Sequence, residues 1–264
     1  MDSVYFICED VLVALEGLPS ASVDVVVTSP PYNLGADYGP GCDDSRSLEE
    51  YLSWLNHVFA ELGRVLKPEG AFFLNAGWSP KEPWLSRDIA EEAATHFTLQ
   101  NRIAWVKSIA LGDEPCRGHV KPINSVRFLN RQWEEIYHFT KTGEIRIERL
   151  AVGVPYADPT NLERGTRGKN GNLRCRGDVL FAPYETVSED KGHPCPFPVQ
   201  LAEYCLKLHG VRDDLLALDP FAGIGSTGVA ARNLGVRAIL IDNNEGYIRI
   251  ARRRCGILGN DNES

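Results

Sequence analysis

Short runs of β-branched and aromatic residues recur along the chain, each closed by a turn or polar cluster and followed by residues at helical spacing. Val4–Ile7 reads as a strand that stops at Glu9 and Asp10, and Val23–Thr28 as a second that stops at Ser29, Pro30 and Pro31. Over residues 51–66, Leu52, Leu55, Val58, Phe59, Leu62, Val65 and Leu66 share one helical face. Lys67, Pro68, Glu69 and Gly70 close that helix, and Ala71–Leu74 is the next strand. Further strands are expected at 102–106 and 135–140. From 143 to 192 Gly, Arg, Asn and Pro dominate and periodicity fades, so this span reads as a loop-rich insertion. Regular pattern returns with a helix at 199–208, a strand Leu215–Leu218, a helix at 226–234, a strand Arg237–Ile241 and a helix at 245–254. Arg252, Arg253 and Arg254 close the last helix, where cations complement its dipole. Strands alternating with helices predict an α/β fold on a doubly wound, mostly parallel sheet.

Charge changes this picture only when read by segment. The formal charge of −8 argues against an indiscriminate nucleic-acid binder. Residues 1–100, however, hold 5 Lys and Arg against 16 Asp and Glu, whereas 101–193 hold 15 against 12 and 194–264 hold 8 against 8. Two stretches lack acids altogether: 115–133, with Arg117, Lys121, Arg127 and Arg131, and 164–177, with Arg164, Arg167, Lys169, Arg174 and Arg176. These are either solvated loop charges or contact points for a polyanion. The 264 residues are enough to bury a core without disulfides. Seven cysteines, an odd number with no CxxC pair, fit free thiols in a reducing compartment better than a secreted framework or a metal site. No basic leader and no run approaching the roughly 18 apolar residues of a membrane span is visible, so a cytoplasmic location is expected.

Candidate chemistry lies in two turns. Asp219-Pro220-Phe221-Ala222-Gly223-Ile224-Gly225-Ser226-Thr227-Gly228 joins a predicted strand to a predicted helix. Its glycines spell G-x-G-x-x-G, and Asp242 ends the next strand 19 residues after Gly223. Such glycines allow a tight turn and close backbone approach to a ligand, and the later carboxylate suits ribose hydroxyls. No Gly-Lys-Ser/Thr follows, which argues against a nucleoside-triphosphate loop. Asp219 would set a carboxylate beside the pyrophosphate of a dinucleotide but would welcome the α-amino group of S-adenosylmethionine, and so favours the latter. The second turn is Thr28-Ser29-Pro30-Pro31-Tyr32-Asn33. Two prolines remove successive backbone donors and stiffen the turn. A hydroxyl, free carbonyls and an aromatic ring suit a planar, amine-bearing base, though a lone turn of this kind also serves as a rigid corner with a packed Tyr.

TSPPYN followed by DPFAGIGSTG resembles the amino DNA methyltransferases, which modify exocyclic nitrogens of cytosine or adenine. The motif order, with the proline turn early and the glycine loop late, is similar to the β group, a circular arrangement of the methyltransferase sheet. RVLKPEGAFFLN (64–75), RIAWVK (102–107), INSVRFLNRQWEEIYHFTKTG (123–143) and HPCPFP (193–198) also fit that group. The resemblance implies a Rossmann-like methyltransferase fold in circularly permuted order. It assigns 1–142 to the catalytic part, 143–192 to target recognition and 193–258 to the cofactor-binding part of the same domain; the polar tail GNDNES (259–264) is expected to be disordered from its composition. It further implies that Asp219 and the loop residues Phe221, Ala222, Gly223, Gly225, Ser226 and Thr227 hold the methionine part of S-adenosylmethionine. Asp242 would hold its ribose and Asp10 its adenine amino group, with Phe197 a further contact. Trp133 stands where many relatives have His, so no role transfers to it, and Glu134 reads as an exposed charge.

The implied reaction is methyl transfer to an exocyclic amine of a base flipped out of double-stranded DNA. Tyr32 would stack on that base while Ser29 Oγ and the Pro30 carbonyl, held by Pro31, accept its amino hydrogens. Ser before Pro-Pro-Tyr is typical of N4-cytosine members, whereas Asp is usual for adenine; N6-adenine transfer is the alternative. Methylation at ring carbon 5 would leave the proline turn unexplained, and a nicotinamide oxidoreductase rests on the glycine loop alone. A DNA-binding module without catalysis would leave the cofactor pocket empty. Arg164–Arg176 is the expected target-recognition stretch, since Arg paired to guanine is the commonest specific base contact, and Arg117–Arg131 the expected phosphate contacts. A homodimer and a separate cognate restriction endonuclease complete the implied partners.

Overall fold

A computed structural model describes residues 3–36, 44–118, 124–157, 172–183 and 196–257. β1 (Val4–Cys8) leads to α1 (Val11–Glu16), whose N-cap Asp10 accepts from the Leu12 amide at 2.9 Å. β2 (Val23–Thr28) is buried along its whole length, as a strand covered on both faces must be. α2 (Leu48–Val65) begins in a reciprocal capping box between Ser47 and Glu50 and buries Leu55, Val58, Phe59, Leu62 and Val65, the face legible in the sequence. There follow β3 (Leu66–Ala76), α3 (Leu85–Ala94) and β4 (Thr98–Val106). β5 (Ser108–Ile109) and β6 (Arg117–Gly118) form a short ribbon before β7 (Trp133–Thr140). β8 (Val154–Pro155) and β9 (Leu173–Arg174) form another, before β10 (Val179–Phe181). The chain closes with α4 (Val199–His209), β11 (Leu216–Asp219), α5 (Ser226–Leu234), β12 (Arg237–Asp242) and α6 (Glu245–Arg254).

Eight strands make one sheet in the order β1-β12-β11-β2-β3-β7-β4-β10. It is parallel except for β7, which runs antiparallel to both β3 and β4. Alternate residues of β2 feed two cores: Val25 and Val27 pack with Leu201 and Cys205 of α4, whereas Val26 packs with Leu15 of α1 and Leu55 and Phe59 of α2. From β11 the chain steps outward to β12, and from β2 it steps the opposite way to β3. β2 and β11 are neighbours, so the crevice beyond their carboxyl ends is the switch point where ligands bind in open α/β sheets.

The elements depart from the sequence reading at several points, the short β5–β6 and β8–β9 ribbons among them. α1 and α3 are absent from that reading: α1 is only six residues long, although Leu85, Ile89 and Ala93 give α3 an i, i+4, i+8 face. Lys67–Gly70 is not a loop, because β3 starts directly at Leu66 and its pairing with β2 is irregular there, a place where a strand tolerates Pro68. β10 lies inside the expected insertion yet belongs to the main sheet, parallel to β4, and the Trp105 indole donates to the Ala182 carbonyl at 2.8 Å. Three residues are too few for periodicity to register. The tail 259–264 lies outside the described residues. No helix among the described residues is long and apolar enough to cross a membrane.

Candidate active site

Both motif turns leave the carboxyl ends of adjacent strands, β2 and β11, and Asp219 ties them together. Its carboxylate, fully buried, accepts from the Thr28 hydroxyl at 2.6 Å, the Thr227 hydroxyl at 2.6 Å and the Phe221 amide at 3.2 Å. Burial pushes its carboxyl up to about 6 against the pull of those donors. Asp219 and Thr227 thus lie beneath the floor of the crevice and are committed to protein partners. With Thr28 they form a latch between the two strands.

Above the latch the glycine loop follows its expected geometry. Gly225 sits at φ 81° as the N-cap of α5, and a Cβ there would stand 2.7 Å from the Ala251 Cβ of α6. Asp242 accepts from the Gly223 amide at 2.8 Å and the Asn244 amide at 2.9 Å, and burial raises its pKa from the ordinary value.

The proline turn is braced by Asp44 and by Tyr51. Asp44, itself buried, accepts from the amides of Asn33 (2.6 Å), Leu34 (3.1 Å) and Ala36 (2.8 Å). Those bonds hold Asn33 in the left-handed region at φ 55°, which Asn tolerates better than most residues. Tyr51 donates its hydroxyl to the Pro31 carbonyl at 2.7 Å, so that carbonyl is not free as expected. Among the described residues no hydrogen bond reaches the Pro30 carbonyl.

The Tyr32 hydroxyl is the hub of a polar network. It lies 2.7 Å from Ser29 Oγ, receives Asn75 Nδ2 at 2.8 Å and points to Glu134 Oε2 at 3.3 Å. Asn75 Nδ2 also reaches Glu134 Oε2 at 3.0 Å, and Lys107 Nζ pairs with Glu134 Oε1. Glu134 is 6% exposed, so the reading of it as an exposed charge is corrected: β7 is covered on both faces, and the Lys107 ammonium neutralises the carboxylate there. Trp133, next to it, is exposed and meets Trp78 edge-on at 4.7 Å between centroids.

These elements enclose a cleft of about 1120 Å³, its open mouth included. Of the sequence-predicted residues it is lined by Ser29, Pro30, Pro31 and Tyr32 together with Asp10, Phe197, Phe221, Ala222, Gly223, Ser226 and Asp242. Asp219, Gly225 and Thr227 are not among the lining residues. Sequence reasoning missed Asp44, Arg46, Tyr51, Trp54, Asn243 and Tyr247, which also face it. Tyr51 and Trp54 flank Leu52 and Leu55 on α2, so their spacing placed them near the apolar face without revealing a ligand surface.

The basic residues do not form one group. Arg117 is exposed on β6 and lies 3.5 Å from Glu114. Arg127 is exposed, its guanidinium 4.9 Å from the Phe128 ring centroid, beside the exposed Val126 and Leu129. Arg131 is half-buried, and its Nη1 has no partner among the described residues. Arg174 is exposed on β9, whereas Arg176 turns inward and donates to the Val152 carbonyl at 3.1 Å. Lys121, Arg164, Arg167 and Lys169, with His193, Pro194 and Cys195, lie outside the described residues. Among the described residues no cluster of His, Cys, Asp and Glu suits a metal ion.

A family model described as DNA methylase, N6_N4_Mtase, matches residues 23–253, which span both turns and every strand between them. The chain belongs to this DNA methylase family. The methylase is 27% identical over 251 residues to the type II methyltransferase M.HpaI of Haemophilus parainfluenzae, covering 94% of this chain and 73% of that protein. It is 26% identical over 250 residues to the DNA adenine methyltransferase YhdJ of Escherichia coli (strain K12), covering 94% and 81%. Its fold matches that of the cytosine-N4-specific PvuII DNA methyltransferase with a TM-score of 0.73 at 19% identity, covering 100% of this chain and 89% of that one. A DNA modification methylase of Thermus thermophilus, solved with S-adenosyl-L-methionine, superposes with a TM-score of 0.65 at 24% identity, covering 96% and 93%. The sheet is therefore the methyltransferase sheet that the motif pair implied.

Proposed function

We propose that this methylase transfers a methyl group from S-adenosylmethionine to the exocyclic N4 of cytosine in duplex DNA, at a specific sequence, in a restriction–modification or epigenetic role. The observation that carries the proposal is the joint lining of one cleft by the Ser29–Tyr32 turn and the Phe221–Ser226 loop. The cleft fits the donor: Asp242 stands at the β12 end for ribose hydroxyls, the Gly223 backbone allows close approach, and carboxylates line a wall that faces a cation. Asp10 and Phe197 line the same cleft, which supports their assignment to the adenine ring. When bound, S-adenosylmethionine supplies a methyl group on a sulfonium leaving group for direct transfer to the amine.

What the chain's own residues do follows from hydrogen-bond polarity. An ionised Glu134 only accepts, so it takes the Tyr32 O–H; the Tyr32 oxygen then accepts from Asn75 Nδ2 and from the Ser29 hydroxyl. Ser29 Oγ, which also receives Asn75 Nδ2 at 3.3 Å, has a lone pair left for one amino hydrogen of the base, and the Pro30 carbonyl is placed to take the other. The amine of cytosine is a poor nucleophile because its lone pair is delocalised into the ring. Two acceptors on its hydrogens favour the pyramidal nitrogen that attacks the methyl. The sulfur–methyl bond breaks to give S-adenosylhomocysteine, one amino proton leaves to solvent because the Ser29 hydroxyl is too weak a base to keep it, and the rest is alignment. The flipped base stacks on the Tyr32 ring, which lies against Gly77: a Cβ there would stand 2.8 Å from Tyr32 Cε2.

N6-adenine transfer is the second reading, favoured by the likeness to YhdJ. Serine at position 29, where adenine enzymes usually carry Asp, supports cytosine. Mass spectrometry of nucleosides from DNA treated with the protein and S-adenosylmethionine decides: N4-methylcytosine supports the proposal, and N6-methyladenine replaces it. Ser29→Ala is expected to lower transfer at least about 10²-fold with cofactor binding retained; an undiminished rate would remove Ser29 from the mechanism.

A further inference from the structure

The cleft is lopsided in charge. Glu9, Asp10, Asp44 and Asp242 line it, and Arg46 is the one cation among its described lining residues. The acids are committed to nearby amides: Asp10 to Leu12, Asp44 to the 33–36 turn, and Asp242 to Gly223 and Asn244. They suit hydroxyls and cations. An amino-acid tail brings both an ammonium and a carboxylate, and a carboxylate entering this wall needs a guanidinium to meet it.

Arg46 is fixed where such a tail would end. Its amide donates to Asn33 Oδ1 at 2.9 Å and its carbonyl accepts from Asn33 Nδ2 at 2.8 Å, which pins its backbone to the turn that follows Pro-Pro-Tyr. Its guanidinium lies 4.7 Å above the Trp54 ring, and Trp54 meets Phe221 of the glycine loop edge-on at 5.6 Å. Stacking on an aromatic face leaves the edge N–H groups of a guanidinium free to fork onto a carboxylate. Asp242 ends β12, Phe221 follows β11 and the proline turn follows β2, in that order across the sheet. A ligand whose ribose is held at β12, and which crosses the glycine loop, therefore brings its far end to the β2 side, where Arg46 stands.

We propose that Arg46 binds the α-carboxylate of the S-adenosyl ligand, an inference that rests on the cofactor reading above. The guanidinium thereby distinguishes ligands that carry an amino-acid tail from bare thioadenosines. Trp54 acts as the platform that keeps the fork turned into the cleft.

Calorimetric titration of the full chain with S-adenosylhomocysteine and with 5′-methylthioadenosine, which lacks the carboxylate, tests this. The wild-type chain is expected to bind S-adenosylhomocysteine more tightly. Arg46→Met, which keeps an apolar stem over Trp54, is expected to lose about 10–100-fold in affinity for it, as for a hydrogen bond to a charged group. Affinity for 5′-methylthioadenosine is expected to stay unchanged, and Arg46→Lys to recover part of the loss. An equal fall for both ligands, or none for either, overturns the assignment while leaving the cofactor reading intact. Failure of the wild-type chain to bind either ligand overturns both.

Discussion

The Tyr32 hydroxyl lies 3.3 Å from the Glu134 carboxylate, although 102 residues separate the two in the chain. Glu134 offers Tyr32 only an acceptor, whereas a carboxamide in its place can also donate to the Tyr32 oxygen and disturb the bonds to Ser29. Glu134→Gln is accordingly expected to lower kcat about 10–100-fold, with KM for DNA and affinity for the cofactor nearly unchanged. Steady-state kinetics checks this; a fall in affinity with kcat preserved would place Glu134 in binding instead.

Asp219 should act on stability and on the cofactor together. Thr28→Val removes one of its donors and leaves a buried carboxylate under-satisfied, at a cost of about 1–3 kcal/mol. Urea denaturation is expected to show that loss, accompanied by weaker binding of S-adenosylhomocysteine as the glycine loop loosens. Unchanged binding in a destabilised variant would separate the latch from the loop.

Acid should destabilise the protein through buried imidazoles. His138 stacks on Phe73 at 4.4 Å and meets Asn101 Nδ2 at 2.9 Å; burial, with His209 nearby, pushes its pKa down to about 4. Burial, with Arg212, likewise takes His209 to about 4. The unfolded chain takes up these protons near 6.5, before the folded one does, so their contribution is complete above 6.5 and is lost as pH falls towards 4. Asp219, raised to about 6, works in the opposite direction between about 4 and 6. Comparing urea midpoints from about pH 7 to about pH 5 for His138→Phe and its parent isolates the histidine, and the variant is expected to show the shallower fall.

The two described arginines of the expected recognition stretch should separate. Arg174→Ala, on an exposed ribbon, is expected to weaken duplex binding with the melting temperature unchanged, whereas Arg176→Ala removes the bond to the Val152 carbonyl and is expected to lower the melting temperature. Fluorescence anisotropy with a labelled duplex and thermal melts check both. A stable Arg174→Ala chain with full DNA affinity would exclude that side chain from the interface.

What the sequence makes legible is local. The strands that carry the two turns, the apolar face of α2 and the glycine loop follow from spacing within windows of about 15 residues, and the structure keeps them. Glu134 escapes such a reading because β7 is buried on both faces, which erases the alternation that marks an inward position, and because Lys107 comes from another part of the chain. A sequence shows Asp219 as a carboxylate beside a glycine loop but not its bond to Thr28, 191 residues away. β10 is too short to register, and Arg46 sits in a stretch with no periodicity at all.

The pairing of β2 with β11 also sets the order in which the molecule can be completed. During synthesis the proline turn leaves the ribosome well before the strand that must lie beside it. Until residue 219 emerges, the edge of β2 is unpaired and Thr28 has no acceptor. Contacts of such long sequence separation are made late and slowly in folding. A nascent chain therefore carries the proline turn before the glycine loop that shares its cleft, and the cleft is complete only once both strands have paired.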